Sequence, residues 1–271
     1  MTSHYAVFGN PITHSKSPII HAAFAKQTGQ EMDYRALLAP LDGFAEAVAA
    51  FRAIGGAGAN VTVPFKHDAF QLATQHTDRA RAAGAVNTLK FEADGNVLGD
   101  NTDGIGLVRD ITSNLGFALA GKHILLLGAG GAASGVVLPL LQCGPEELVI
   151  ANRTADKAMT LAARFREQGN LAGCGFNELT GSFDAVINAT AASLHGELPP
   201  LPPKLFMPGA LAYDMMYGNH DTPFMAWARS QNATVIADGL GMLVEQAAES
   251  FYIWRGVHPD TRAVISQLRQ S

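Results

Sequence analysis

Short apolar runs closed by glycine or a polar residue recur along this chain, and between them apolar side chains return at helical spacing. Over residues 5–100 this alternation predicts strands at Tyr5 to Gly9, Met32 to Leu38 and Ala59 to Val63, with helices from Pro18 and near Gly43 to Ala53. In the first helix Ser17 reads as the N-cap and Pro18 as the first helical residue. Ile20, Ala23 and Phe24 share one face, and Gly29 ends the helix. Ser15 and Ser17 share a strand-like parity just ahead of that helix, where hydroxyls and amides can hold a carboxylate. The sharpest alternation is Asn60-Val61-Thr62-Val63-Pro64-Phe65-Lys66, apolar at odd positions and mostly polar at even ones. It predicts Val61, Val63 and Phe65 in the core. Asn60, Thr62 and, if the chain stays extended, Lys66 then share the other face, which sets hydroxyl-binding groups beside an amine. Asn87, Asn101 and Asp103 add polar side chains at strand ends.

From residue 122 onward the pattern changes to buried strands. His123 to Leu127 is a short apolar run of the kind covered by helices on both faces. Gly128-Ala129-Gly130-Gly131-Ala132-Ala133 follows at once and fits G-x-G-x-x-G/A: a turn, a backbone that can approach a pyrophosphate, and a small residue for close helix packing. A second strand, Glu147 to Ala151, completes the unit, and Asp184 to Asn188 and Leu211 to Asp214 continue it. Ligands of open α/β sheets lie beyond the carboxyl ends of such strands, which places Asn188, Thr190 and Met215 near a cofactor. No Asp, Glu, Lys or Arg occurs between Lys122 and Glu146. The segment is long enough to cross a bilayer, but its glycines and Pro139 favour strand, turn and helix over a span. Pro139 should kink that helix. The fold class is thus α/β, with a Rossmann-type domain and a separate substrate domain.

Composition narrows the chemistry. A net charge of −5 with 19 Lys+Arg offers no basic stripe for nucleic acid. Cys143 and Cys174 stand far apart, which suggests neither a disulfide framework nor zinc and suits a reducing cytoplasm. The N-terminus shows no secretion signal. No histidine pair has H-E-x-x-H spacing, so no metal is expected, and Gly131-Ala132-Ala133-Ser134-Gly135 misses the G-x-S-x-G elbow of serine hydrolases. At the end of the second strand Asn152-Arg153-Thr154-Ala155-Asp156-Lys157 supplies Arg153 and Lys157 for a 2'-phosphate, and so favours NADP, with Asp156 a mild counter-signal. Carbonyl reduction by hydride needs a proton donor. A partly desolvated lysine with a nearby carboxylate can serve, which makes Lys66 and Asp103 the candidates and His67 a reserve.

Assembled in order, these stretches resemble the shikimate dehydrogenase family of bacteria almost from end to end. The resemblance rests on residues 9–18 (Gly9-Asn10-Pro11-Ile12-Thr13-His14-Ser15-Lys16-Ser17-Pro18), Asn60 to Lys66, Gly84-Ala85-Val86-Asn87-Thr88, and Asn101-Thr102-Asp103-Gly104. It continues through Gly128 to Ala132, Asn152-Arg153-Thr154 and Gly239-Leu240-Gly241-Met242-Leu243-Val244. It implies reversible NADPH-dependent reduction of 3-dehydroshikimate to shikimate, on the route to aromatic amino acids. It also implies a mixed-sheet substrate domain over residues 1–102, joined by C-terminal helices from 239–271, an NADP domain over 103–238, and a cleft between them. By position it makes Ser15 and Ser17, with Tyr217, the carboxylate grip, and Lys16 a further substrate-binding residue. Asn60, Thr62, Asn87 and Gln246 become ring-hydroxyl contacts, and Lys66 with Asp103 the catalytic pair. Cofactor contacts fall on Gly128, Ala129, Gly130, Gly131 and Ala132, on Asn152, Arg153, Thr154, Ala155, Asp156 and Lys157, and on Thr190, Met215, Gly239 and, more weakly, Asp78. The helix from Met242 to Trp254 should return to the substrate domain and carry Gln246 over the pocket. The expected partner is a small molecule, with neither nucleic acid nor membrane, and the chain is expected to be a monomer or homodimer. Two positions depart from the family pattern: Ala191 stands where many members have serine, and Lys157 where many have arginine. A quinate/shikimate dehydrogenase using NAD and a non-catalytic dinucleotide sensor are the competing readings; Arg153 and Lys157 oppose the first, Lys66 and Asp103 the second.

Overall fold

A computed structural model describes residues 2–270, except for the side chains of Leu194 and His195. The chain forms two compact units, Met1–Gly106 with Val244–Ser271, and Leu107–Leu243.

The first unit begins β1 (Ser3–Gly9), α1 (Ser17–Thr28), β2 (Met32–Leu38), α2 (Phe44–Ala53) and β3 (Gly56–Val61). It continues α3 (Lys66–Leu72), β4 (Gln75–His76), α4 (Asp78–Ala83), β5 (Thr88–Phe91), β6 (Val97–Asp100) and α5 (Asp103–Arg109). Its sheet order is β2-β1-β3-β5-β6-β4. β1 runs parallel to β2 and β3, while β5 runs antiparallel to β3 and β6, so the sheet is mixed. One face buries Phe8, Phe44, Phe51, Val61, Phe65 and Leu89. Phe44 stacks on Phe65 with centroids 4.9 Å apart, an offset arrangement that ring quadrupoles favour.

Two expectations for this unit are corrected. β3 stops at Val61, and Val63 is 68% exposed where alternation placed it in the core. The Phe65 amide donates to the Thr62 carbonyl (3.0 Å), so the chain turns, and Pro64 has no N–H with which to extend the ladder. Lys66 therefore begins α3 instead of sitting on an extended strand. Ser17 is not the N-cap of α1: Lys16 holds that position, Ser17 is the first helical residue, and its amide donates to Ser15 Oγ at 3.3 Å.

The second unit carries β7 (His123–Leu127), α6 (Gly131–Gln142), β8 (Glu147–Asn152), α7 (Ala155–Arg164), β9 (Leu171–Gly175), β10 (Phe183–Asn188), β11 (Phe206–Asp214), α8 (Pro223–Ser230) and β12 (Val235–Ala237). All its strands are parallel, in the order β12-β11-β10-β7-β8-β9. Counted from β7 this is 3-2-1-4-5-6, the dinucleotide-binding order, with its switch point between β7 and β10. β7 is buried from Ile124 to Leu127, as a strand covered on both faces must be. Pro139 is buried inside α6 and does not end it. Among the described residues no helix is long and apolar enough to cross a membrane.

Two further helices complete the chain, α9 (Leu240–Arg255) and α10 (Thr261–Arg269). The division between units falls inside α5 and inside α9. In the first unit, Trp254 of α9 stacks on Tyr5 (4.6 Å) and donates its indole N–H to the Leu89 carbonyl at 2.9 Å. The same face of the sheet takes Phe24 of α1 and Phe251 of α9.

Candidate active site

One edge of the mixed sheet gathers the chemistry. The carboxyl ends of β1 and β3 lie side by side, and the start of β5 and end of β6 meet that edge, because Asn60 pairs with Thr88 and Thr88 with Asp100. Ser15, Ser17, Thr62, Lys66, Asn87 and Asp103 all sit just past these strand ends. Thr62 is tied in by its amide, which donates to the Phe8 carbonyl at 2.9 Å.

At the centre, Lys66 Nζ donates to Asp103 Oδ2 at 2.5 Å, with the two side chains 28% and 12% exposed. The other carboxylate oxygen, Oδ1, accepts from Asn87 Nδ2 at 2.8 Å. Such charge-assisted bonds are short and strong, and at partial burial they are only weakly screened. The backbone locks both partners in place. The Val86 amide donates to the Lys66 carbonyl (2.8 Å), and the Asp103 amide donates to Asn101 Oδ1 (3.2 Å). Asn101 also donates Nδ2 to the Ala85 carbonyl (3.1 Å) and so serves as a brace between the two loops. Asp100, one residue earlier, is held by Arg79 through two bonds at 2.7 and 2.8 Å.

Gln246, on α9, brings Oε1 within 3.3 Å of both Asn87 Nδ2 and Thr102 Oγ1. Asn60 is buried, and its amide is engaged by protein. Oδ1 accepts from the Tyr34 hydroxyl (2.8 Å), while Nδ2 donates towards Ser250 Oγ (2.9 Å), Thr88 Oγ1 (3.1 Å) and the Asn87 carbonyl (3.2 Å). Ser15 and Lys16 are half-buried, Ser17 is buried, and His67 is exposed on α3. Tyr217 is half-buried, and burial pushes its hydroxyl pKa up. Sequence reasoning gave no role to Tyr34, Thr88, Thr102 or Ser250. Thr88 and Thr102 lie inside the Gly84–Thr88 and Asn101–Gly104 motifs, but Tyr34 and Ser250 join the site only through sheet pairing and the packing of α9, which leave no local signal.

In the second unit the turn after β7 is built for close approach. Gly128 has φ +107, a conformation only glycine adopts comfortably, and a side chain there would press on the Ala189 carbonyl after β10. Gly130, Gly131 and Ala132 are exposed at the start of α6, where unpaired amides and the positive helix end favour a phosphate, while Ala133 is fully buried beneath them. Ala129 is half-buried beside them. Arg153, Thr154, Asp156 and Lys157 are exposed at the tip of β8 and start of α7, with Ala155 half-buried among them. The loop is pinned by Asn152 Nδ2 donating to the Thr154 carbonyl (3.0 Å). Thr190 follows β10 and donates to Asn188 Oδ1 at 2.7 Å. Met215 follows β11, its amide donating to the Asn188 carbonyl (2.9 Å), and Gly239 lies directly against the Met215 backbone. These donors suit an anionic dinucleotide. Asp78 differs: in the first unit, on α4, it is 95% exposed and paired with Arg81 (2.8 Å). No group of His, Cys, Asp and Glu able to hold a metal ion occurs among the described residues.

The same layout recurs in known proteins. The family described as "Shikimate dehydrogenase substrate binding domain" matches residues 7–89, "Shikimate / quinate 5-dehydrogenase" matches 109–195, and "Shikimate 5'-dehydrogenase C-terminal domain" matches 239–269. The shikimate dehydrogenase (NADP(+)) of Dechloromonas aromatica is 63% identical over 270 residues, 99% of this chain and 98% of that one. Its counterpart in Nitrosomonas eutropha is 61% identical over 266 residues, 98% and 96% of the two chains. Among solved structures, an Ael1 enzyme from Pseudomonas putida superposes with a TM-score of 0.94 at 52% identity, covering 98% of each chain. Shikimate 5-dehydrogenase from Thermus thermophilus, in complex with NADP(H) and shikimate, gives 0.88 at 30% identity over 99% of each. A likeness that holds from end to end at these identities, over both sheets just described, is one of descent: the chain belongs to the shikimate dehydrogenase family.

Proposed function

We infer that this chain reduces 3-dehydroshikimate reversibly to shikimate with NADPH. The observation that carries the reading is the Lys66–Asp103 pair, held at 2.5 Å and half-sheltered on a sheet edge rich in hydroxyl and amide groups. NADPH, when bound on the amides of residues 130–132 with its 2'-phosphate at Arg153 and Lys157, supplies the hydride. As hydride reaches the ring carbon, the carbonyl electron pair moves to oxygen, and the Lys66 ammonium gives that oxygen its proton. Lys66 then recovers a proton from water, to which it is partly open. In the reverse direction neutral Lys66 removes the hydroxyl proton as hydride leaves. Asp103 keeps the ammonium aimed at that oxygen. The Ser15 and Ser17 hydroxyls suit the ring carboxylate, while Thr62, Asn87 and Gln246 suit its hydroxyls, since each offers a donor or acceptor at the same edge. Met1–Gly106 with Val244–Ser271 is accordingly the substrate-binding domain and Leu107–Leu243 the NADP domain.

The test follows nicotinamide absorbance with shikimate and quinate offered separately, each with NADP+ and NAD+. Turnover should be fastest with shikimate and NADP+. Lys66→Ala should lower kcat by about 10²- to 10⁴-fold, the usual worth of a positioned acid–base group, with little change in KM. Full turnover in that variant, or turnover confined to quinate with NAD+, would overturn the reading.

A further inference from the structure

Behind the Lys66–Asp103 pair lies a group of buried hydroxyls for which the proposed chemistry has no direct use. Thr88, Thr102 and Ser250 are each fully buried. Thr88 and Thr102 converge on one atom, Asn87 Oδ1, which accepts from the Thr102 amide (2.9 Å), the Thr102 hydroxyl (3.1 Å) and the Thr88 hydroxyl (2.9 Å). A backbone N–H can only donate, so its bond fixes which end of the Asn87 carboxamide is oxygen. The nitrogen end must then face Asp103 Oδ1, the 2.8 Å contact. Ser250 Oγ stands 2.8 Å from Thr88 Oγ1 and 3.3 Å from Thr102 Oγ1, while its own proton can go to the Gln246 carbonyl at 3.0 Å. Asn60 Nδ2 donates into the same cluster. Each hydroxyl thus has partners on two or three elements, β5, the segment ahead of α5, and α9.

We propose that Thr88 and Thr102 are positioning residues: they lock the Asn87 carboxamide and, through it, turn the Asp103 carboxylate so that Oδ2 meets Lys66. Without one of the hydroxyls, Oδ1 of Asn87 loses a buried donor; the Thr102 amide still sets which end is oxygen, but the carboxamide is freed to rotate away from its best approach to Asp103 Oδ1. Asp103 then has no fixed second partner, and the ammonium it aims drifts from the reacting oxygen. The inference rests on the catalytic reading of Lys66 and Asp103 and extends it to residues that touch neither substrate nor cofactor.

The experiment is a double-mutant cycle read in both reaction directions, with wild type, Thr88→Val, Asp103→Asn and the pair combined. Thr88→Val should lower kcat about tenfold, the scale of a sub-ångström misplacement at a reacting centre. In the Asp103→Asn background the same change should cost less than about twofold, since its effect passes through that carboxylate. Thr88→Ser, which keeps the hydroxyl, should return kcat to near wild type. An equal loss in both backgrounds, or no loss of kcat in Thr88→Val, overturns the inference. If Thr88→Val fails to fold, Thr102→Val and Thr88→Ala carry the same cycle. Full turnover in Lys66→Ala or a wild type silent towards shikimate would remove the catalytic reading itself. A healthy wild type with an additive cycle would remove only this extension of it.

Discussion

His21 is wholly buried, its ring stacked on Tyr34 at 4.1 Å and flanked by Trp254 at 5.4 Å and Phe24 at 6.0 Å. Burial among these rings pushes its pKa from 6.5 down to about 3, with the neighbouring Asn60 amide opposing only in part, so the imidazole is neutral in the working enzyme. Its folded pKa lies below its unfolded one, so only the unfolded chain takes a proton there as pH falls below 6.5. The stability tied to this ring is therefore fully present above pH 6.5 and lost between 6.5 and 3, at up to about 1.4 kcal/mol per pH unit. Between pH 7.5 and 5, urea unfolding should cost the wild type about 2 kcal/mol more stability than His21→Phe, which cannot titrate. Equal losses would show that His21 finds its charge compensated. Legibility at the scale of single residues follows the same physics. Lys66 and Asp103 stand out because carbonyl reduction needs a proton donor, and a lysine and a carboxylate at strand ends among polar neighbours can supply and steer one. His21 and Tyr34 do not, because a histidine and a tyrosine at helix and strand positions have many ordinary settings.

Among the elements, the β7–turn–α6 unit separates folding from binding at two neighbouring glycines. Gly128 is required by the backbone, with φ +107 and the Ala189 carbonyl where a side chain would go. Gly130 is not: its φ is −89 and the space beside it is open. Gly128→Ala should therefore lower stability by about 1–3 kcal/mol, the usual cost of a strained backbone position. Gly130→Val should leave the thermal midpoint near wild type yet raise the KM for NADPH at least about tenfold if a pyrophosphate approaches that backbone. Circular dichroism melts beside cofactor titrations check both, and a Gly130→Val enzyme with normal KM would move the phosphate elsewhere. This unit was readable residue by residue because its strand is short, apolar and closed at once by a glycine turn. The stretch after Asn60 was readable only as far as Val61: period-two alternation carries no warning that the chain will turn at Thr62 and begin a helix at Lys66. The outcome for Lys66 survived the wrong route, since a helix start and an extended strand both turn it away from the core that holds Phe65.

For the whole molecule, two units with separate hydrophobic cores mean that ligands act on stability unit by unit. The Rossmann-type class of the second unit was legible in its turn, but the return of α9 to the first unit came only from the family resemblance, because chain separation hides such packing from any local pattern. Cofactor choice is a property at this scale as well. The protein carries a net charge of −5, so an anionic dinucleotide approaches a chain that repels it on average, and local cations must outweigh that field. On the proposed reading Arg153 and Lys157, exposed at the tip of β8 and on α7, face a 2'-phosphate whose charge the non-phosphorylated cofactor lacks. NADP+ at about 100 times its Kd should add about 2.7 kcal/mol to the unfolding free energy of the second unit, and NAD+ at the same concentration clearly less. Arg153→Asp should reverse that order, since a carboxylate at a strand tip accepts from ribose hydroxyls and repels phosphate. Raised salt should shrink the NADP+ advantage, because exposed charges are screened within about 8 Å at physiological ionic strength. Differential scanning fluorimetry with both cofactors at two salt concentrations reads all three effects. Equal shifts from NADP+ and NAD+ in the wild type would show that Arg153 and Lys157 do not choose the cofactor.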